Sequence, residues 1–260
     1  MKTKGHTASP ALWQDGRLPD EAIKVLAFDA DDTLWENEPY FREVEEKFGE
    51  LMEDYLPRHT TARELLRTEI DNIELYGYGI KAFILSMIET AMRVSDKTIP
   101  VTAIEKIITL GRDMLSKPVV LLPGVEEVLQ KFQGQFRLVM ATKGDLLDQE
   151  RKLRKSGLEK YFHHIEIMSE KKEADYEKLI RHLDIQPEEF VMIGNSIKSD
   201  VLPVINLGGV GIHVPFHTTW VHESVEAEIN HPNFHQVNSI TEIINLMPEK
   251  LKVGSRQVKQ

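Results

Sequence analysis

The sequence predicts an α/β fold: a parallel sheet with helices on both faces, interrupted after its first strand by an all-helical insertion. Three observations carry this. Short apolar runs recur along the chain, segments of helical length separate them through the second half, and residues 37–118 hold helical patterns with no strand among them. Strand and helix in alternation build a parallel sheet, since each crossover needs a helix to return the chain.

In chain order, residues 1–22 are polar, without the apolar stretch of a secretory signal, and read as an N-terminal extension. Residues 24–30 (KVLAFDA) form a short apolar run that breaks into acids, as a buried parallel strand does where it meets a site loop. Amphipathic helical patterns follow over 40–55, 61–75, 80–93 and 101–115. They are expected to form a cap or lid over 37–118, hinged near 35–38 and 116–122. The α/β core then comprises 23–36 and 119–260. Further strands are expected at 137–142, 164–168, 190–194 and 209–215, with helices at 145–156, 175–183 and 199–207. Ser239 and Glu242 have the spacing of a capping box ahead of Ile240, Ile243, Ile244 and Met247, which would bury one helical face.

Composition narrows the functional classes. Of 260 residues, 41% are hydrophobic and 28% charged, values of an ordinary globular chain with a true core. The balance of 32 Lys and Arg against 42 Asp and Glu gives −10, the wrong sign for tracking nucleic acid or anionic lipid. The absence of cysteine excludes disulfides, thiolate metal sites and cysteine nucleophiles. No run reaches the roughly 18 apolar residues that cross a bilayer, so a cytoplasmic protein is expected.

The chemistry concentrates at strand ends. Phe28-Asp29-Ala30-Asp31-Asp32-Thr33-Leu34 sets three acids within four positions directly after the first run. A calcium loop fails here, because its sixth position is Leu34 instead of glycine and its twelfth is Tyr40 instead of glutamate. Two carboxylates two residues apart at a strand end can divide labour, one attacking or binding metal and one handling protons.

This segment resembles the first motif, Asp-x-Asp-x-Thr, of the haloacid dehalogenase superfamily, and the resemblance extends over nearly all the chain beyond residue 22. Asp32 stands where that family usually has glycine. The second motif, a Ser or Thr ending the next core strand, is matched by Thr142. The third, a lysine opening a later helix, is matched by Lys171 or Lys172, with Lys171 favoured by its spacing to Tyr176. The fourth, usually Gly-Asp followed by another acid, reads Gly194-Asn195-Ser196 with Asp200, so Asn195 replaces a carboxylate. In an open α/β sheet these strand ends meet in one crevice.

The resemblance implies a Rossmann-like, three-layer core and the phosphatase branch of the superfamily. It implies Asp29 as the nucleophile that forms an aspartyl-phosphate, Asp31 as acid and then base, and Thr142 and Lys171 as charge stabilisers. Mg²⁺ would be held by Asp29, the Asp31 carbonyl, Asn195 and Asp200. A halide leaving group needs no proton, so the acid at Asp31 favours phosphomonoester hydrolysis over dehalogenation. Phosphoryl transfer between sugar hydroxyls and phospho-ligand binding without turnover are the alternatives. The implied partner is a small phosphorylated metabolite.

Outside the motifs the plain readings come first. Tyr76-Gly77-Tyr78-Gly79 reads as a helix connection, Arg58, Arg67, Lys81 and Arg93 as exposed helix charges able to reach an anionic substrate, and His213, His217 and Trp220 as packing and loop residues.

Overall fold

The structure, a computed structural model, describes residues 23–223 and 229–247; the expected extension over 1–22 lies outside them, as does the end of the core segment beyond 247. Its centre is a six-stranded, all-parallel sheet: β1 (Val25–Phe28), β2 (Arg137–Lys143), β3 (His164–Met168), β4 (Phe190–Gly194), β5 (Val210–His213) and β6 (Phe234–Gln236), in the order β3-β2-β1-β4-β5-β6. β1 lies between β2 and β4, with Phe28 in register with Met140 and Ile193. The chain moves outward from β1 to β3 and returns to the other side of β1 at β4. This reversal opens a crevice at the C-terminal ends of β1 and β4.

Strand periodicity sorts the core. Leu26, Phe28, Leu138, Met140, Val191 and Ile193 share one buried cluster, packed against α5 (Val125–Phe132) and α9 (Ile243–Leu246). The alternate residues, Val25, Ala27, Val139, Ala141, Phe190 and Met192, form a second with α7 (Glu173–His182) and Val204 of α8 (Leu202–Asn206). Successive side chains of a strand point to opposite faces, so an apolar run that fails to alternate means both faces are covered. α6 (Leu146–Ser156) begins at Asp145, whose carboxylate accepts from the Asp148 amide at 3.1 Å.

Four helices lie between β1 and α5: α1 (Glu38–Leu51), α2 (Arg58–Tyr76), α3 (Ile80–Val94) and α4 (Val101–Ser116). They carry a third buried cluster, with Phe48, Leu65, Phe83, Met87 and Ile107 at its heart. Gly111 lets α4 approach α3, since a Cβ there would lie 1.8 Å from the Ile84 side chain. The two crossings into this unit pair with each other: Glu36 N donates to Val120 O at 3.0 Å and Leu122 N to Leu34 O at 3.0 Å.

Two expectations need correction, and two elements were not anticipated. The helix expected over 199–207 starts instead as a π-helical turn, Ile197–Val201, before α8, with Pro203 confined to the first turn of that short helix. The capping box at Ser239 does not form: its hydroxyl pairs with Thr241 at 2.6 Å, while the Glu242 carboxylate accepts from the amide of Asn238 at 3.2 Å. Ile240, Ile243 and Met247 are buried as expected. β6 and α5 went unread in the sequence, because three residues and eight residues are too short for periodicity to stand out.

Candidate active site

After β1 the chain turns on the Ala30 carbonyl, which accepts from Leu34 N at 2.8 Å and more distantly from Thr33 N and Trp35 N at 3.3 Å. The turn holds Asp29 at the mouth of the crevice. Lys171, arriving just before α7, lies between two acids: its Nζ is 2.5 Å from Asp29 Oδ1 and 2.7 Å from Asp200 Oδ1. Asp29, Lys171 and Asp200 are 7%, 4% and 1% exposed, so their charges interact with little solvent between them. Burial raises the Asp29 carboxyl above its ordinary range, opposed by Lys171 and reinforced by Asp200. Burial works against the Lys171 ammonium, yet Asp200 and Asp29 outweigh it and hold Lys171 above its ordinary value. The neighbouring Lys172 is exposed, which leaves Lys171 as the lysine in the crevice. Tyr176 packs beneath it, fully buried, donating to Ser199 O at 3.0 Å.

Asp200 occupies the π-helical turn, its Oδ2 accepting from Ser196 N at 2.9 Å. Gly194 makes room for it: a Cβ there would sit 2.1 Å from Asp200 Oδ2. Asn195 stands opposite, its Oδ1 3.3 Å from Thr33 Oγ1, which also lies 3.4 Å from Asp29 Oδ2. His213 Nε2 donates to the Asn195 carbonyl at 3.0 Å, so this histidine braces the loop.

Asp31 lines the same cavity with a separate set of partners. Trp35 Nε1 and Lys152 Nζ donate to its Oδ1 at 2.7 and 2.6 Å, and Gln149 Nε2 to its Oδ2 at 3.1 Å. Gln149 also donates to Thr142 Oγ1 at 2.9 Å, which ties Thr142 to the same group. Asp32 acquires a structural role: at φ 59° it accepts from Asn37 N at 2.8 Å and from Glu38 N at 3.0 Å, supplying an acceptor to the start of α1. The positive φ accounts for glycine at the matching place in the resembled motif. Burial pushes the Asp32 carboxyl up to about 8, with the Asp31 charge adding and the Asn37 and Glu38 amides opposing.

Asp29, Asp31, Thr142, Lys171, Asn195 and Asp200 line one cavity of about 180 Å³, which the helical unit also walls through Phe41, Glu69, Tyr78 and Phe83. Tyr78, first read as part of a plain connection, reaches the core: its hydroxyl donates to Glu170 at 2.8 Å and its ring receives Lys143 Nζ at 4.3 Å and Trp220 edge-on. Trp220 lines the cavity as well, beyond its reading as a loop residue. Lys143 also pairs with Glu223 at 2.6 Å, and Glu223 accepts from Ser196 Oγ at 2.6 Å and from Ser199 Oγ at 2.5 Å. Burial acts against this carboxylate, but Lys143 and the two hydroxyls pull it down to about 2. Arg58, Arg67 and Arg93 pair with acids on the helical unit, and Lys81 pairs with Asp145 at 2.8 Å; none of the four lines the cavity. Gln149, Lys152, Lys143 and Glu223 escape sequence reading because each is a single polar residue in an ordinary helix, strand end or turn.

Asp29, Asp31, Asn195 and Asp200 all line the cavity and carry carboxylate, amide and carbonyl oxygens. All are hard oxygens, the set that Mg²⁺ takes, so the residues present fit that ion. Among the described residues no three His, Cys, Asp or Glu side chains gather as a metal cluster. No described helix is long and apolar enough to cross a membrane.

The sheet's reversal point gathers a carboxylate, a lysine and a second carboxylate in one crevice, the place where open α/β sheets bind their ligands. The model of the haloacid dehalogenase-like hydrolases matches residues 23–208, and the chain belongs to that family. It is similar over 91% of its length to a haloacid dehalogenase-like hydrolase from Xanthomonas campestris, at 36% identity and TM-score 0.78, covering 94% of that chain. Two more distant structures share the fold. The HAD-hydrolase YfnB from Bacillus subtilis, bound to magnesium, is 18% identical with TM-score 0.58, the match covering 86% of this chain and 98% of that one. A 2-haloacid dehalogenase from Pseudomonas syringae is 17% identical with TM-score 0.58, covering 86% and 97%. A search of curated proteins gave no match.

Proposed function

We propose that this hydrolase cleaves a small phosphomonoester with Mg²⁺, through an aspartyl-phosphate on Asp29. The observation that carries the reading is Asp31. A carboxyl two residues beyond the nucleophile lines the cavity, where it has work in phosphate chemistry and none in halide release.

In the first step Asp29 Oδ attacks phosphorus, the P–O bond to the alcohol breaks, and Asp31 supplies the proton that the leaving oxygen takes. In the second, Asp31 accepts a proton from water as it attacks phosphorus, and the bond between phosphorus and Asp29 breaks to release inorganic phosphate. Lys171 and Thr142 offset charge on the phosphoryl oxygens. Asp29, Asn195, Asp200 and the Asp31 carbonyl would hold the ion, which supplies neutralisation of the phosphate's charge when bound. The helical unit acts as the lid, and its Tyr78–Glu170 and Lys81–Asp145 bonds are the contacts that would hold it closed.

Phosphate release from p-nitrophenyl phosphate and a metabolite panel, with Mg²⁺ and with chelator, tests this. Asp29→Asn should abolish release while leaving the fold intact. Equal, background-level release by wild type and variant would end the phosphatase reading.

A further inference from the structure

Asp31 has to turn one oxygen toward the leaving group, and its side chain has two free torsions with which to miss. The structure shows what limits them. Oδ1 is taken by two donors, Lys152 Nζ at 2.6 Å and Trp35 Nε1 at 2.7 Å, while Oδ2 accepts from Gln149 Nε2 at 3.1 Å, which makes Oδ2 the less committed oxygen and the one to carry the proton. Gln149 and Lys152 lie three residues apart on one face of α6, so the helix presents both to the same carboxylate. Gln149 is already shared with Thr142 and with the Lys143 carbonyl at 2.6 Å, and Trp35 is a neutral donor on the same turn as Asp31. Lys152 is therefore the charged donor that fixes Asp31 from a separate element. It makes one other bond, to Asn37 Oδ1 at 3.2 Å, at the entry to α1 and to the helical unit.

We infer that Lys152 is a positioning residue: it orients Asp31 for proton transfer and, through Asn37, ties that orientation to the hinge of the helical unit. The inference rests on the phosphatase reading and goes further, since neither the family motifs nor the four strand ends include this residue. Lys152 touches no reacting atom. Removing it should leave Asp29, Lys171 and Asp200 in place and harm only the step that needs the proton.

The leaving group separates this role from a structural one. Nitrophenolate departs without a proton, whereas phenolate, a stronger base, gains from one. The measurement is kcat/KM, which reports the first chemical step, for p-nitrophenyl phosphate and phenyl phosphate with Lys152→Met, Lys152→Arg and Asn37→Ala. Lys152→Met should lose about tenfold or more on phenyl phosphate relative to p-nitrophenyl phosphate, Lys152→Arg should regain part of that difference, and Asn37→Ala should show a smaller loss of the same kind. Equal losses on both esters, or none, would overturn the positioning role while the phosphatase reading stands. If Lys152→Met fails to fold, the other two variants decide by the same ratio. A wild-type protein that releases phosphate from neither ester nor any metabolite sinks both readings together.

Discussion

Glu223→Gln makes the sharpest test of the electrostatics around the cavity. The carboxylate accepts from Lys143, Ser196 and Ser199 at once, with its side chain 12% exposed. Its carboxyl falls from 4.5 to about 2 on folding. A depressed carboxylate contributes stability that is fully present above its unfolded pKa and is lost as pH falls through its folded value. At about 1.36 kcal/mol per unit, the shift is worth on the order of 3 kcal/mol at pH 7 and about 1.5 kcal/mol at pH 3. Urea denaturation of wild type and Glu223→Gln, with chelator present at every pH, should therefore show a gap that is flat from pH 7 to about pH 5 and roughly halves by pH 3. A gap that stays constant to pH 3, or no gap at pH 7, would refute the argument. The first would mean that the substitution harms packing alone, and the second that Lys143 is satisfied by Ser199 Oγ at 3.0 Å and the Tyr78 ring.

Two further outcomes follow from close approaches in the backbone. Gly194→Ala drives a Cβ into the buried Asp200 carboxylate, so overpacking of about 1–3 kcal/mol should raise the magnesium concentration for half-maximal phosphate release by roughly tenfold; unchanged magnesium dependence would exclude Asp200 from the ion's ligands. Asp32→Ala removes the acceptor at the start of α1 while keeping a side chain at positive φ, and should cost about 1–2 kcal/mol in urea denaturation. Asp32→Gly relieves the backbone and should cost less; the reverse order would mean that φ is not strained.

The sheet was legible because its central strands β1, β2 and β4 are buried along nearly their whole length, and continuous apolar runs such as residues 190–194 mark strands covered on both faces. The four helices of the insertion were legible too, within a few residues, since each buries a stripe at helical spacing. What escaped was geometry that spacing does not encode. Asp31 could be placed at a strand end from sequence, but its hold on Lys152, 121 positions away, depends on how α6 is laid against the first loop. Tyr78 looked like a residue of a flexible connection, and Gly77 and Gly79 do adopt φ 70° and 100°. That freedom is what lets the ring turn inward to Lys143 and Glu170. Asp32 was an acid without a role until its φ and its bonds to the start of α1 could be seen.

Asn195 gains a physical rationale from the same geometry. Asp29 and Asp200 already place two buried negative charges against one ammonium, Lys171, and Glu223 contributes another carboxylate whose partner is Lys143. An acid at 195 would add a charge beside Asp29, with only the Thr33 hydroxyl between them to share a proton. The amide avoids that repulsion and remains an oxygen donor. Its backbone is anchored, because Asn195 N donates to Thr33 Oγ1 at 3.1 Å and its carbonyl is held by His213. In the proposed chemistry the ion would lose one charged ligand and keep a neutral oxygen on an anchored backbone. The buried acids would then repel each other less when the ion has left.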